Sequence, residues 1–358
     1  VLSPFARAGK PYSPPTLGAP IHLHLDANEG QLHPLIAGRV REALANVPLT
    51  RYPNASPLAA RLAEQFGVAT ERVLVTAGGD DAIDRACRAT LLAGDNIVLA
   101  APTFEIFARC AKLQGAQVRS SGWEGDFPLA SLAAQIDDRT RMVVVVSPNN
   151  PTGGVVSLEA IATLARLAPH AMVLVDYAYI EFADVDPTRE VLGFRNVVMV
   201  RTLSKALGLA GLRVGYAIGA PDCIAAMRAV GLPFSVSVAG LAAAEAAMDS
   251  LDAIVPMVAQ RAHAERASLI EVLRGVARVL PSQANFVLAD FGSSARAERV
   301  WRGLGEKGIS VRRFANQAEG SLLARSLRIS CPLDEQAERQ LLASLREVVQ
   351  QVLHQGGA

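Results

Sequence analysis

Lys205 lies in the run Arg201-Thr202-Leu203-Ser204-Lys205-Ala206-Leu207-Gly208-Leu209-Ala210-Gly211-Leu212-Arg213. The chain has three other lysines, Lys10, Lys112 and Lys307, and carries the rest of its basic charge on arginine. Arginine keeps its proton and cannot condense with an aldehyde; lysine can lose it and form a Schiff base. Two hydroxyls, on Thr202 and Ser204, precede the lysine, and a turn of small residues follows it. Eight residues on, Arg213 offers a planar guanidinium fork suited to a phosphate. A Schiff-base lysine beside a phosphate clamp points to pyridoxal 5'-phosphate (PLP). Taken alone, Lys205 reads more simply as a surface lysine in a turn, and the other polar positions decide the matter.

Asp176 directly follows the apolar run Val173-Leu174-Val175. A carboxylate at the end of a buried strand calls for a cation: an arginine in a structural pair or, in a PLP enzyme, the ring nitrogen, whose protonation makes the ring an electron sink. Tyr179 follows three residues later, in reach of the ring's phenolic oxygen. The run Thr76-Ala77-Gly78-Gly79-Asp80-Asp81 joins a strand to a helix. Its glycines admit a ligand close to the backbone, and the helix N-terminus supplies free N–H groups for a phosphate. Asp80 and Asp81 serve equally well as helix caps. The run is neither a GxGxxG nor a Walker loop, which argues against dinucleotides and nucleoside triphosphates. In Ser147-Pro148-Asn149-Asn150-Pro151-Thr152-Gly153, a rigid turn carries Asn150, placed to bond a planar ligand. Phe104, in Pro102-Thr103-Phe104, is either core or a stacking platform. Arg328, inside the apolar strand Ser326-Leu327-Arg328-Ile329-Ser330, requires an anion: an internal carboxylate or a substrate α-carboxylate held bidentately.

These groups need a scaffold that brings strand ends together. Short apolar strands at 73–76, 96–100, 142–146, 172–175, 197–200 and 214–218 alternate with helices at 35–47, 56–66, 80–92, 104–114 and 158–168. Continuous apolar strands separated by helices predict a mostly parallel sheet covered on both faces, with ligands beyond the strands' carboxyl ends. An alanine-rich helical stretch runs over 239–274. Beyond Pro281 the pattern changes to strands at 285–288 and 326–330 with helices at 295–307 and 334–353, a smaller α+β domain. The Pro- and Gly-rich start reads as an extended arm. The expected organisation is an arm over 1–34, a large domain over 35–245, and a small domain over 246–358 to which the arm contributes.

Composition narrows the partners. A formal net charge of +1 with no long basic run disfavours nucleic acid and anionic membranes. No apolar run is long enough to span a bilayer, and the N-terminus lacks signal-peptide order. The four cysteines, at 87, 110, 223 and 331, have no CxxC or metal-ligand spacing, which suits a reducing cytoplasm. His22 and His24 share a strand face, but no third ligand stands at a familiar spacing, so no metal is expected.

Taken in order, the motifs resemble the class I/II aminotransferases of PLP fold type I, in particular the histidinol-phosphate aminotransferase branch. The resemblance runs from Leu25-Asp26-Ala27-Asn28-Glu29 and Arg51-Tyr52-Pro53 through the runs quoted above to Ser282-Gln283-Ala284-Asn285-Phe286 and Leu327-Arg328-Ile329. It implies that Lys205 anchors PLP and shuttles a proton, that Asp176 pairs with the ring nitrogen, and that Asn150 and Tyr179 contact the phenolic oxygen. It further implies stacking by Phe104, and a phosphate held by Gly79, Asp80, Thr202, Ser204 and Arg213. Tyr52 would reach the neighbouring subunit's phosphate in a homodimer with shared sites. Arg328 would take the substrate carboxylate, with Asn28 and Arg312 completing the substrate site. The implied reaction moves an amino group from an amino acid or amino-alcohol phosphate, histidinol phosphate foremost, to 2-oxoglutarate, within amino-acid biosynthesis. The sequence departs from the family after Glu29, where Gly30-Gln31-Leu32-His33-Pro34 replaces the usual Asn-Pro or Tyr-Pro and then Gly-Pro. Phe104 stands where this branch often has tyrosine.

Two other readings use the same residues. A PLP decarboxylase of a phosphorylated amino acid keeps Lys205, Asp176 and Arg213 and differs in which bond is broken. A non-catalytic effector-binding module would need a DNA-binding segment, for which the N-terminal stretch offers no pattern.

Overall fold

A computed structural model describes residues 20–314 and 317–354. Most of the expected arm, with Pro4, Pro11, Pro14, Pro15, Gly18 and Lys10, lies outside the described residues. Strand β1 (Leu23–Leu25) joins the smaller of two sheets. The larger sheet contains β2 (Val73–Thr76), β3 (Asn96–Ala101), β4 (Gln117–Gly122), β5 (Thr140–Val146), β6 (Met172–Asp176), β7 (Val197–Thr202) and β8 (Gly215–Ile218), in the order β2-β8-β7-β6-β5-β3-β4. β8 runs antiparallel to both its neighbours and the other pairings are parallel.

Burial explains the valine runs. Val143 and Val145 pack into one apolar cluster while Met142, Val144 and Val146 pack into another, so both faces of β5 are dry. Helices α1 (Pro34–Ala45), α2 (Ser56–Phe66), α3 (Gly78–Thr90), α4 (Ile106–Leu113), α5 (Leu158–Leu167), α6 (Pro221–Ala229) and α7 (Val238–Met248) cover the two faces. Residues of α3, α4 and α6 belong to one cluster and those of α1, α2, α5 and α7 to the other. The smaller sheet adds β9 (Arg278–Val279), β10 (Phe286–Asp290), β11 (Ile309–Arg313) and β12 (Ser326–Ser330), in the order β1-β11-β12-β10-β9. It packs with α8 (Leu251–Leu273), α9 (Ser294–Glu306) and α10 (Glu335–His354). The architecture is therefore α/β, a large mixed-sheet domain flanked by helices and a smaller α+β domain, consistent with PLP fold type I. No helix among the described residues is long and apolar enough to cross a membrane.

Three expectations need correction. β4 was not anticipated: its Gln-Val-Arg-Ser-Ser-Gly sequence suits a half-exposed edge strand, which needs no apolar run. The alanine-rich stretch is two helices, α7 and α8, broken where Asp249 meets Arg39 and Arg61. The helix expected from Asp80 begins at Gly78, which puts Gly79 and Asp80 in its exposed first turn of N–H groups.

The start of α3 packs directly on β8. A Cβ at Gly215 would lie 2.5 Å from Gly78 C, 2.7 Å from Gly79 N and 2.9 Å from Arg201 O, all backbone atoms that cannot step aside. Gly215→Ala is expected to destabilise the chain by about 1–3 kcal/mol. The measurement is the urea midpoint at unchanged slope.

Candidate active site

A cavity of about 580 Å³ opens beyond the carboxyl ends of β6 and β7, against the start of α3, with Arg328 of β12 opposite. Asp176 ends β6 and is only 5% exposed. Its Oδ1 accepts from Ala178 N at 3.0 Å. Burial pushes its carboxyl up to about 7; Asp80 adds to the rise, while the Ala178 N–H and the Lys205 charge oppose it. Lys205 lies in the loop after β7, with its ammonium 5.7 Å from the Tyr179 ring centroid and donating to Ala27 O at 3.0 Å.

At one end of the cavity, Thr202 Oγ1 donates to Ser204 Oγ at 2.8 Å, and Ser204 N donates back to Thr202 Oγ1 at 3.2 Å. Arg213 Nη2 reaches Asp80 Oδ2 at 3.3 Å, with both side chains half-exposed. Gly78 has φ +81°, and a Cβ there would lie 2.7 Å from Arg213 Nη2. The glycine therefore allows a guanidinium to lie against the helix N-terminus, two positive features facing the same space. The alternatives left open for the two aspartates now separate. Asp81 accepts from the N–H of Ala77, the N-cap residue, at 2.9 Å and pairs with Arg85; Asp80 lines the cavity.

Phe104 and Asn150 form another wall. Phe104 meets Phe107 edge-on at 6.4 Å. Asn150 Oδ1 accepts from Arg328 Nη1 at 2.6 Å, and Arg328 Nη2 donates to Asp26 O at 2.6 Å. Arg328 also lies 5.3 Å over the Phe286 ring. Asn149, fully buried, fixes this wall: it accepts from Thr103 Oγ1 at 2.7 Å and donates to Pro102 O at 2.9 Å.

Three expected site residues do not line this cavity. Asn28 is fully buried and bonds Tyr179 and Ser330. Tyr52 is 80% exposed and stacks on Phe234 at 4.5 Å, away from the cavity. Arg312 lines an adjoining cavity of about 480 Å³ that shares Phe104, Asn150 and Arg328 with the first. Sequence reasoning missed Asn149, Ser330 and a buried cluster behind the site. There, Arg201 pairs with Glu181 at 3.3 Å and Asp186 at 2.5 Å, joining the loop after β6 to β7. An arginine within an apolar strand was the available signal for this cluster. His22 meets Gln340, and no group of three metal-binding side chains occurs among the described residues.

The donor set fits a flat, anionic, phosphorylated cofactor with a basic ring nitrogen. A buried carboxylate with an elevated pKa is stabilised by an adjacent protonated nitrogen, and the positive helix start with Arg213 suits a phosphate. Without such a cation, the folded chain binds the Asp176 proton more tightly than the unfolded chain does. This group's contribution to stability is therefore full below about pH 4 and lost as pH rises toward about 7, at about 1.4 kcal/mol per unit. In the cofactor-free protein, Asp176→Asn is expected to flatten that decline. Urea unfolding of both proteins across the window measures the difference; parallel curves would contradict it.

The model of the family "Aminotransferase class I and II" matches residues 21–345. The chain is 36% identical to an aromatic amino acid aminotransferase of Mycobacterium tuberculosis (strain H37Rv) over 323 residues, covering 85% of this chain and 91% of that protein. It superposes on the histidinol-phosphate aminotransferase of Sinorhizobium meliloti, solved with pyridoxal-5'-phosphate, with a TM-score of 0.83 at 26% identity, covering 93% of this chain and 92% of that one. Aspartate aminotransferase of Thermus thermophilus, solved with maleate, gives a TM-score of 0.77 at 26% identity over 92% of each chain. With a family match across nearly its whole length and the lysine, carboxylate and arginines gathered at one cavity, the chain belongs to the class I and II aminotransferases.

Proposed function

We propose that this aminotransferase uses PLP to move an amino group from a donor with a flat side chain and an anionic end, histidinol phosphate foremost, to 2-oxoglutarate. The observation that carries the donor class is a pair of arginines. Arg312 and Arg328 are direct cross-strand partners on β11 and β12, and both line the adjoining cavity. A dianionic phosphate, or the second carboxylate of a 2-oxo diacid, can bond both guanidinium groups, which a single carboxylate does less well. Leu99, Val118, Phe314, Leu322 and Leu323 give that cavity an apolar wall suited to a ring, beside polar positions that include Glu105 and Glu124. An aromatic amino acid is the second reading, favoured by the same apolar walls.

Bound in the larger cavity, PLP supplies an aldehyde that exchanges with the donor's amine and a ring that accepts the electron pair left at Cα. Lys205 Nζ would anchor the cofactor and, as a free amine, would hold the proton that leaves the donor's Cα. Asp176 keeps the ring nitrogen protonated. Tyr179 and Asn150 hold the phenolic oxygen, and Phe104 stacks on the ring. Thr202, Ser204, Arg213 and the N–H groups at Gly79 and Asp80 hold the phosphate. Arg328 orients the donor through its anionic end.

The reading includes a homodimer in which Tyr52 reaches the neighbouring site. Its support is an exposed apolar patch, with Leu49 and Tyr52 each 80% exposed, Leu232 72% and Phe234 58%. It also includes a cytoplasmic location, resting on four unpaired thiols, and the division into 1–34, 35–245 and 246–358.

The test is a donor panel of histidinol phosphate, phenylalanine, tyrosine and glutamate, each followed by 2-oxoglutarate. The expected result is cofactor conversion and restoration, fastest with histidinol phosphate and abolished in Lys205→Ala. Arg312→Gln is expected to lower kcat/KM about 10-fold or more for histidinol phosphate and much less for phenylalanine; Arg328→Gln lowers it ~10²-fold or more for both. Equal losses for both donors in Arg312→Gln would favour the aromatic reading, and carbon dioxide release in place of exchange would favour decarboxylation. Sedimentation velocity is expected to give a dimer, with Tyr52→Ala weakening PLP retention about 10-fold.

A further inference from the structure

Asn28 has no part in the chemistry above, yet its side chain is bonded at both ends. Its backbone is left-handed, with φ 54°, a conformation asparagine adopts more readily than most residues. Nδ2 donates to Tyr179 Oη at 3.0 Å, and Oδ1 accepts from Ser330 Oγ at 2.7 Å. Its backbone carbonyl accepts from Asn285 Nδ2 at 3.3 Å. Ser330 lies on β12, two residues from Arg328. Tyr179 is packed edge-on against Phe286 at 5.2 Å, so its ring has one orientation and only the hydroxyl proton is free to turn.

A phenol carries one proton. When its oxygen accepts the Asn28 amide, that proton turns away from Asn28, and the cavity is where it can go. We propose that Asn28 is a positioning residue that makes Tyr179 a hydrogen-bond donor toward the phenolic oxygen of bound PLP; this role rests on the cofactor reading above. A donor at that oxygen stabilises its negative charge. It thereby competes for the lone pair that would otherwise hold the proton of the nitrogen joining Lys205 to the cofactor. The bond through Asn28 lowers the pH at which that nitrogen gives up its proton, keeping it reactive near neutrality. Because Oδ1 is held by β12, the strand of the substrate arginine also sets the hydroxyl's direction.

The experiment is a pH titration of the visible absorbance of the PLP-loaded chain. Asn28→Gly deletes the amide and still tolerates the left-handed backbone. Its midpoint is expected to rise by about 0.5–1 pH unit. Tyr179→Phe gives the full rise, and adding Asn28→Gly to it produces no further rise, because both act through one hydroxyl. Asn28→Asp keeps the shape and reverses the bond: the carboxylate accepts the Tyr179 proton, and the midpoint moves to that of Tyr179→Phe. This second variant serves if Asn28→Gly does not fold, which melting of the cofactor-free proteins reveals. An unshifted midpoint in the folded variants, or a shift that persists in the Tyr179→Phe background, overturns the role while leaving the cofactor reading intact. A parent chain that develops no pH-dependent visible band with PLP sinks both.

Discussion

The constraint on which the site depends is the backbone of four arm residues. Ser330 Oγ shares its one proton between Leu25 O at 2.8 Å and Asn28 Oδ1 at 2.7 Å, while Arg328 Nη2 donates to Asp26 O at 2.6 Å, Lys205 Nζ to Ala27 O at 3.0 Å and Asn285 Nδ2 to Asn28 O at 3.3 Å. β1 ends at Leu25, so the carbonyls of Asp26, Ala27 and Asn28 must find partners outside the strand ladder. Three of the four donors come from the β10 and β12 region and the fourth is Lys205. The arm therefore ties the lysine loop to the strand of Arg328, and both residues line one cavity. Such closeness demands glycine. A Cβ at Gly30 would lie 1.7 Å from Lys205 O, and one at Gly208 would lie 2.3 Å from Gln31 C. The departure at Gly30 thus has a physical reason: the arm lies against the lysine loop.

Burial sets the electrostatics. Asp176 is taken out of water at the end of a strand with dry neighbours, and desolvation outweighs the help of one N–H and a nearby ammonium. A full positive charge beside it reverses that balance. Behind it, Arg201 is also buried but is held by Glu181 and Asp186, and burial still pushes the Glu181 carboxyl up against the pull of Arg201. The two buried acids differ in surroundings: Glu181 has its counter-ion in the protein, whereas Asp176 faces the cavity. A carboxylate aimed at a cavity recognises a cationic ligand; one aimed at an arginine holds two loops together.

The sheet was legible because its strands are dry on both faces, which writes them as valine runs; β4 was not, because an edge strand carries no such mark. The helix break at Asp249 escaped because alanine favours helix on both sides of it, and the ion-pair partners of Asp249, Arg39 and Arg61, come from α1 and α2, far off in the sequence. Lys205, Asp176, Arg213 and Arg328 were legible as polar residues set in apolar or small-residue runs. Asn28 was assigned a substrate through resemblance; its partners, Tyr179 and Ser330, lie 151 and 302 residues away, and no spacing reveals them. Asn149 and Asn150 are adjacent and alike in the sequence. Only the fold tells that the first ties Pro102 and Thr103 in place while the second faces the ligand space.

In the proposed reading, specificity would rest on two opposed arginines. Arg312 and Arg328 share a register position but not an environment. Arg328 is 6% exposed, spread over Phe286 and tied to Asn150 and Asp26, whereas Arg312 is more open and lies 5.9 Å from the Phe314 ring. The first is pre-organised, so its rotamer entropy is already lost before any ligand arrives. The second is half-buried and remains in reach of water. In the proposed reading one site accepts two substrates in turn, and this asymmetry would suit that: Arg328 would read the anionic end common to donor and acceptor, and Arg312 would add a contact to a dianionic phosphate or to a second carboxylate.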